Sequence, residues 1–155
     1  MRITVLTVGR LGRTTEGGLA QTYAERATAT GRALGLGPVD IAEVEGRKPG
    51  RDSEGEALLA ALPSPARVIA CDERGRAWPS QAFADRLGSL RDSGERRLVF
   101  INGGADGLSA PVRDAASEHL AFGPQTWPHA LVRVLLTEQL YRAAAILAGT
   151  PYHRA

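Results

Sequence analysis

Short apolar segments with strand character alternate with helical segments along this chain. Residues 1–8, 39–44, 67–72 and 97–101 are rich in apolar side chains and predict strands, with a candidate fifth strand at 118–122. The intervening segments predict helices at residues 19–34, 54–62, 80–93 and 111–116, and a last helix from 129 to about 148. Because the strands are continuous apolar runs separated by helices, we expect an α/β fold with a mostly parallel sheet covered by helices on both faces.

The connecting segments carry their own signals. Residues 45–54 are polar and glycine-bearing and predict a mobile surface loop, and residues 73–76 predict a turn. Ser80 is a candidate N-cap for the helix that follows it.

Composition limits the class of protein. The chain has 155 residues, of which 43% are hydrophobic and 23% are charged, a balance typical of globular proteins. We expect one domain that spans residues 1–155. No apolar run approaches the roughly 20 residues that a membrane-spanning helix needs, and residues 1–8 are too short for a signal peptide. We therefore expect a cytoplasmic protein without a membrane partner.

Cysteine, histidine and charge content limit the chemistry further. Cys71 is the single cysteine, which excludes an intramolecular disulfide and a cysteine-rich metal site. His119, His129 and His153 lie far apart and lack metal-binding spacing, so no metal site is expected. The formal net charge of +2 favours nucleic acid binding only weakly.

In parallel sheets, ligands bind beyond the carboxyl ends of the strands. The loops expected at that edge are residues 9–18, 72–75, 102–107 and 123–127. Residues 103–107 contain three glycines, which either allow a ligand to approach the backbone closely or form a simple tight turn. Their spacing matches neither the dinucleotide fingerprint nor the Walker A loop.

The run FGPQTWPH at residues 122–129 precedes the last helix. A helix N-terminus offers free N–H groups that suit a carboxylate or phosphate. The alternative interpretation is a capped helix with a buried Trp127.

The last helix and the tail supply further polar groups. Arg133 and Arg142 project on opposite sides of the helix by their spacing, so that one can face RNA and the other a partner. Glu138 and Arg142 have the spacing of a surface salt bridge. The tail at residues 151–154 either stacks on a base and pairs with a phosphate or is unstructured.

Several segments together resemble one known family. They are a first strand that ends at Val8-Gly9, RVIACD followed by Gly75, GGADGLS at 103–109, TWPHALVRVLLTEQLYRA at 126–143 and PYHR at 151–154. In this order, and over the whole length, the chain resembles the ribosomal RNA large-subunit methyltransferase H family of the SPOUT class. The resemblance implies a SPOUT-type fold whose C-terminal segment forms a trefoil knot, which is rare in proteins.

The resemblance also implies a reaction and a cofactor. Members of this family use S-adenosyl-L-methionine to methylate N3 of a pseudouridine in large-subunit ribosomal RNA, as homodimers with the site at the subunit interface. We therefore expect ribosomal RNA, in the assembled ribosome, as the substrate. Carried over by position, the cofactor-binding residues are Cys71, Gly103, Phe122, Gly123, Pro124, Gln125, Thr126 and Trp127.

The reaction requires that the N3–H group of pseudouridine lose its proton. His129 and His153 are the candidates to assist this step, the latter from the tail of the partner. Tyr152 is expected to stack on or orient the base. The residues expected to hold RNA phosphates are Arg133, Arg142 and Arg154.

Three alternatives stay open at this level. The substrate can be another RNA, such as a transfer RNA. The chain can be a non-enzymatic ribosome-binding factor, which would not bind S-adenosylmethionine. It can also be a flavodoxin-like or nucleotide-binding module, although Gly9–Gly12 after the first strand fits no phosphate-binding fingerprint well.

Overall fold

The computed structural model describes residues 1–154 and contains a sheet of five parallel strands in the order β2-β1-β4-β3-β5. Ala155, the last residue of the predicted tail, lies outside this range. The strands are β1 (Arg2–Val8), β2 (Val39–Val44), β3 (Arg67–Ala77), β4 (Arg97–Asn102) and β5 (Glu118–Ala121). The helices are α1 (Thr15–Gly31), α2 (Arg51–Ala61), α3 (Ser80–Asp92), α4 (Ala110–Ala115) and α5 (His129–Leu147), with a 3-10 turn at Arg32–Leu34.

Helices cover both faces of the sheet. On one face, β1 and β4 pack against α1, α3 and α5 through Ile3, Phe100, Ala24, Leu87 and Leu136. On the other face, the same strands pack against α2 and α4 through Leu6, Ile101, Leu58 and Val112. Successive strand residues point to opposite faces, so burial on both faces explains the continuous apolar runs. The predicted α/β class is confirmed, and the knot stays a prediction.

Within residues 1–154, no helix combines the length and the apolar character needed to cross a membrane.

β3 is longer than the sequence indicates, because it continues through residues 73–76, where a turn was expected. Its register with β5 shifts between Cys71 and Arg76, so the strand bulges and then pairs with β5 again. A Cβ at Gly75 would lie 2.6 Å from the carbonyl carbon of His119, so a glycine is needed for this close approach. The prediction of a turn was wrong because pairing with β5 depends on a distant part of the chain.

Two helix starts also differ from expectation. α2 begins at Arg51, inside the segment interpreted as a loop. The N-cap of α3 is Pro79 and not Ser80, whose hydroxyl donates to Oε1 of Gln139 at 2.8 Å instead. Ser80 therefore links α3 to α5, and the capping prediction was wrong.

A buried charge joins the last helix to the sheet. The side chain of Arg133 on α5 is 1% exposed. Its Nη1 donates to Oε1 of Glu43 at 2.5 Å, and its Nη2 donates to Oγ1 of Thr7 at 3.0 Å and to the carbonyl of Gly9 at 2.8 Å. A buried charge is tolerated when it is paired and hydrogen-bonded. Within residues 1–154, the Nε of Arg133 is its one nitrogen left buried without a partner.

The expectation that Arg133 holds an RNA phosphate was wrong. Its guanidinium is enclosed and is engaged by groups of its own chain. The same contacts occupy the carboxyl end of β1, so the loop at residues 9–18 does not line the main cleft of the described residues. The Arg133 contacts leave the ends of β4, β3 and β5 as the part of the edge open to a ligand.

We expect Arg133→Ala to lower the free energy of unfolding by about 3 kcal/mol, the low end of the range for breaking a buried ion pair. The low end applies because the side chain of Glu43 is 30% exposed, so that water can solvate its carboxylate once Arg133 is removed. Urea denaturation measures the change. The control is Arg96→Ala, an exposed arginine whose loss should change stability by less than about 0.5 kcal/mol. Equal midpoints for the two variants would contradict the anchoring role.

Candidate functional site

A cleft of about 720 Å³ opens at the carboxyl ends of β4, β3 and β5. This volume lies within the range of small-molecule sites. Its walls are the ends of β3 and β4, the glycine turn (residues 103–107), the loop at residues 122–128 and the start of α5. The edge of the sheet predicted to bind a ligand therefore carries a cleft of suitable size.

Seven of the eight predicted cofactor-binding residues meet in this cleft. They are Cys71, Gly103, Phe122, Gly123, Gln125, Thr126 and Trp127. Pro124 is exposed on the same loop and is not among the residues that line the cleft. His129 lines the cleft as well, and so does Asn102 at the end of β4.

The glycine turn is tight, and its first two residues, Gly103 and Gly104, have no room for a side chain. A Cβ at Gly103 would lie 2.8 Å from Cδ2 of Leu108. The N–H of Gly107 donates to the carbonyl of Gly104 at 3.1 Å, and Gly107 has a φ of +76°. The two interpretations of the motif are therefore compatible, since the segment is a tight turn and also forms a wall of the cleft.

The wall formed by the 122–128 loop and the start of α5 is held by two hydrogen bonds. Nε1 of Trp127 donates to the carbonyl of Phe122 at 2.9 Å, which closes the loop on itself. Nδ2 of Asn102 donates to the carbonyl of His129 at 2.9 Å, which ties the start of α5 to the end of β4. Trp127 is 39% exposed, so the expectation of a buried tryptophan was wrong.

Cys71 and Asp72 end the paired part of β3 and face the cleft. Burial and the adjacent Asp72 carboxylate raise the pKa of the Cys71 thiol to about 12, so the thiol is neutral and acts as an apolar contact. Burial works to raise the pKa of Asp72, but hydrogen bonds from the Arg74 N–H and the Arg113 guanidinium hold it below its usual value. Asp72 is therefore ionised and paired with Arg113.

Three arginines at the cleft were not recognised in the sequence. Arg51, Arg74 and Arg113 come from α2, β3 and α4 and line the same cleft. Their positions beside predicted ligand loops were the only signal, and a surface arginine is too common for that signal to be specific. Three carboxylates, Asp72, Glu73 and Asp106, line the same cleft, so the arginines offer guanidinium donors there without an excess of positive charge.

The tail residues form a separate cluster on α5, the tail cluster (Glu138, Arg142, Tyr152 and His153). The Tyr152 hydroxyl donates to Oε1 of Glu138 at 3.0 Å, and Arg142 donates to the same oxygen through Nε at 3.0 Å. The Arg142 guanidinium lies 4.8 Å from the centre of the Tyr152 ring. The predicted Glu138–Arg142 pair is confirmed, and the tail through His153 packs on the helix.

The tail cluster and the cleft lie on different parts of α5. Val132 is the last residue of α5 that lines the cleft, and the tail contacts the helix from Glu138 to Arg142, about 9 to 15 Å further along at 1.5 Å per residue. The structure thus brings His129 to the cleft but keeps Tyr152 and His153 of the same chain away from it. Arg154 follows them and is exposed.

Comparisons with known proteins agree with this arrangement. The sequence pattern of the family described as "Predicted SPOUT methyltransferase" matches residues 1–153. The chain is 63% identical to ribosomal RNA large subunit methyltransferase H of Caulobacter vibrioides, and the match covers 99% of both chains. It is 51% identical to the protein of the same name from Dinoroseobacter shibae, again over 99% of both chains.

A probable methylase family protein from Haemophilus influenzae has a similar fold, with a TM-score of 0.54 at 15% sequence identity. The match covers 99% of this chain and 70% of that one. The chain therefore belongs to the ribosomal RNA large subunit methyltransferase H family of SPOUT methyltransferases.

Proposed function

We propose that this protein transfers a methyl group from S-adenosylmethionine to N3 of a pseudouridine in large-subunit ribosomal RNA. The observation that carries the proposal is the cleft between the glycine turn and the 122–128 loop, in a chain of this family. The relatives named above are large-subunit ribosomal RNA methyltransferases by name.

The cleft fits S-adenosylmethionine in size and in the character of its walls. Phe122, Leu120 and the neutral thiol of Cys71 offer apolar contacts for an adenine ring. Gly103 and Gly123 contribute only backbone atoms to the lining of the cleft. When bound, the cofactor supplies an electrophilic methyl group on a sulfonium. The protein's own tasks are to position the base and to exclude water.

His129 is the better candidate for proton acceptor at N3. It lines the cleft, whereas Nδ1 of His153 lies 3.3 Å from Nη1 of Arg142. A guanidinium can only donate, so this contact requires Nδ1 of His153 to accept. The neutral His153 ring then carries its proton on Nε2 and offers a donor at its free edge. His153 in this arrangement orients an acceptor on the base and does not remove its proton.

The separation along α5 supports a homodimer. Tyr152 and His153 pack on α5 beyond its cleft-lining residues and do not line the cleft of their own chain. We infer that they and Arg154 reach the cleft of a second copy. Leu19 on α1 and Leu131 on α5 are 43% and 38% exposed, so apolar surface is available for a partner on these helices. We infer that one protomer supplies the cleft and the other supplies the tail.

RNA phosphates are assigned to a revised set of arginines. The set is Arg51 and Arg74, which line the cleft, together with Arg154 of the second copy. Arg113 lines the cleft too, but it is paired with Asp72. Arg142 is engaged with Glu138 and Tyr152, so it orders the tail. Arginine suits this role because its planar group binds phosphate oxygens in pairs.

Intact ribosomes from a strain that lacks the modification should accept a methyl group from labelled S-adenosylmethionine. Nuclease digestion and mass spectrometry should find it as an N3-methylated pseudouridine. Free large-subunit RNA and transfer RNA are the comparison substrates, and we expect at least tenfold lower kcat/KM with transfer RNA. Preferential methylation of transfer RNA, or methyl transfer to another atom, would contradict the proposal.

Replacing Trp127 tests the cofactor-binding step of the proposal separately from methyl transfer. Trp127→Phe removes the N–H that closes the 122–128 loop, so we expect S-adenosylhomocysteine to bind several-fold to about tenfold more weakly, the effect of one hydrogen bond. Isothermal titration calorimetry measures the affinity. Trp78→Phe is the matched control, since Trp78 packs against Phe83. Unchanged affinity in Trp127→Phe would show that the loop does not hold the cofactor.

A mixing experiment tests the shared site. The tail variant Tyr152→Ala/His153→Ala and the cleft variant His129→Ala should each be nearly inactive. Mixed in equal amounts, they should recover about a quarter of the wild-type rate, because half of the randomly formed dimers contain one intact site. No recovery after subunit exchange, verified by mass spectrometry, would contradict a site built from two chains.

A further inference from the structure

A half-buried glutamate on α2, Glu54, packs against the glycine turn. Within residues 1–154, Oε2 of Glu54 is buried and has no hydrogen-bond partner. A Cβ built on Gly104 would lie 2.6 Å from this Oε2 and 3.0 Å from both Cδ and Oε1 of Glu54. The carboxylate of Glu54 therefore occupies the space that a side chain at residue 104 would fill.

The next residue on α2 makes a second close contact with the same segment. A Cβ at Gly55 would lie 2.3 Å from Oγ of Ser109, just after the turn. Glu54 and Gly55 thus fit against residues 104 and 109, at either end of the segment that includes the turn. Gly103 and Gly104 line the cleft on their other side. α2 therefore packs directly against the segment that forms one wall of the cleft.

The free oxygen of Glu54 has potential partners close by. The turn closes through the N–H of Gly107, and among the described residues no bond is recorded from the N–H of Ala105 or of Asp106. A buried carboxylate oxygen without a partner is unfavourable, and such a group in a folded protein calls for an explanation. The peptide group between Gly104 and Ala105 adjoins the Cα against which the carboxylate packs, so its N–H is the nearest candidate donor along the chain.

We propose that Glu54 is a positioning residue for the methyl donor, whose carboxylate accepts peptide N–H groups of residues 105–106 when the cleft is filled. This inference rests on the function proposed above. Glu54 is not among the residues that line the cleft, so it acts on the donor through the turn and not by direct contact. Its loss changes the affinity for the donor and leaves the rate at saturating donor unchanged.

Calorimetry with S-adenosylhomocysteine tests this inference. Glu54→Ala should bind about tenfold more weakly than the unaltered protein. Glu54→Gln should lose less, because an amide oxygen still accepts one hydrogen bond. Glu56→Ala is the matched control, because it removes the same charge from an exposed position on the same helix. In methylation assays, Glu54→Gln should raise KM for the donor and keep kcat within about twofold.

A double-mutant cycle tests the contact itself. Gly104→Ala should weaken binding strongly, because the added methyl group displaces the Glu54 carboxylate. In a Glu54→Ala background the same substitution should have little further effect, because the space is vacant. Hydrogen exchange adds a readout of the backbone, since S-adenosylhomocysteine should protect residues 103–109 less in Glu54→Ala than in the unaltered protein.

The outcomes separate this inference from the proposed function. If the unaltered protein binds S-adenosylhomocysteine and both Glu54 variants bind it equally well, the positioning role is overturned and the proposed function stands. An equal loss for Gly104→Ala in both backgrounds also overturns it. If the unaltered protein does not bind S-adenosylhomocysteine at all, the proposed function fails and the role of Glu54 fails with it.

Discussion

The buried guanidinium of Arg133 determines where this sheet can bind a ligand. In a parallel sheet every strand end is a potential ligand position, but Arg133 occupies the ends of β1 and β2 through Thr7, Gly9 and Glu43. Desolvating a charge is costly, and the three acceptors offset that cost. What remains open is the edge formed by β4, β3 and β5, where the cleft lies. The same anchor sets the position of α5, and therefore of His129 one turn earlier.

The sequence was most informative where structure depends on local pattern. Continuous apolar runs correctly indicated the parallel strands. Of the eight cofactor-binding residues expected from the order of motifs, all except Pro124 line the cleft. It was least informative where a residue's environment is made by distant parts of the chain. The pattern on α5 marks Arg133 as an arginine in an apolar helix, and nothing local reveals that Glu43, ninety positions earlier, is its partner. Likewise, residues 73–76 resemble a turn until β5 lies beside them.

Two segments of α5 have different roles, one in the cleft and one in holding the tail. The N-terminal end of α5 is tied to β4 through Asn102 and forms part of the cleft. Further along the helix, Glu138 and Arg142 hold the ring of Tyr152 in place. Burial, together with the hydrogen bond to Glu138, raises the pKa of the Tyr152 phenol. The phenol is thus neutral and can donate. The two segments lie at different positions along the helix, and under the proposed function a second copy would supply the tail.

The two walls of the cleft are therefore held by different means. The α5 wall is held by the paired charge of Arg133 and by the hydrogen bonds of Asn102 and Trp127. The glycine wall rests on Glu54, whose Oε2 lacks a partner. Arg133 also has one nitrogen without a partner in the described part of the chain, but it does not line the cleft, whereas Oε2 of Glu54 lies against Gly104 in the cleft wall. On the inference drawn above, the glycine wall is therefore the one that adjusts when the cleft fills. Under the proposed function, the α5 wall would align the donor with the base, and the glycine wall would close around the donor and exclude water before transfer.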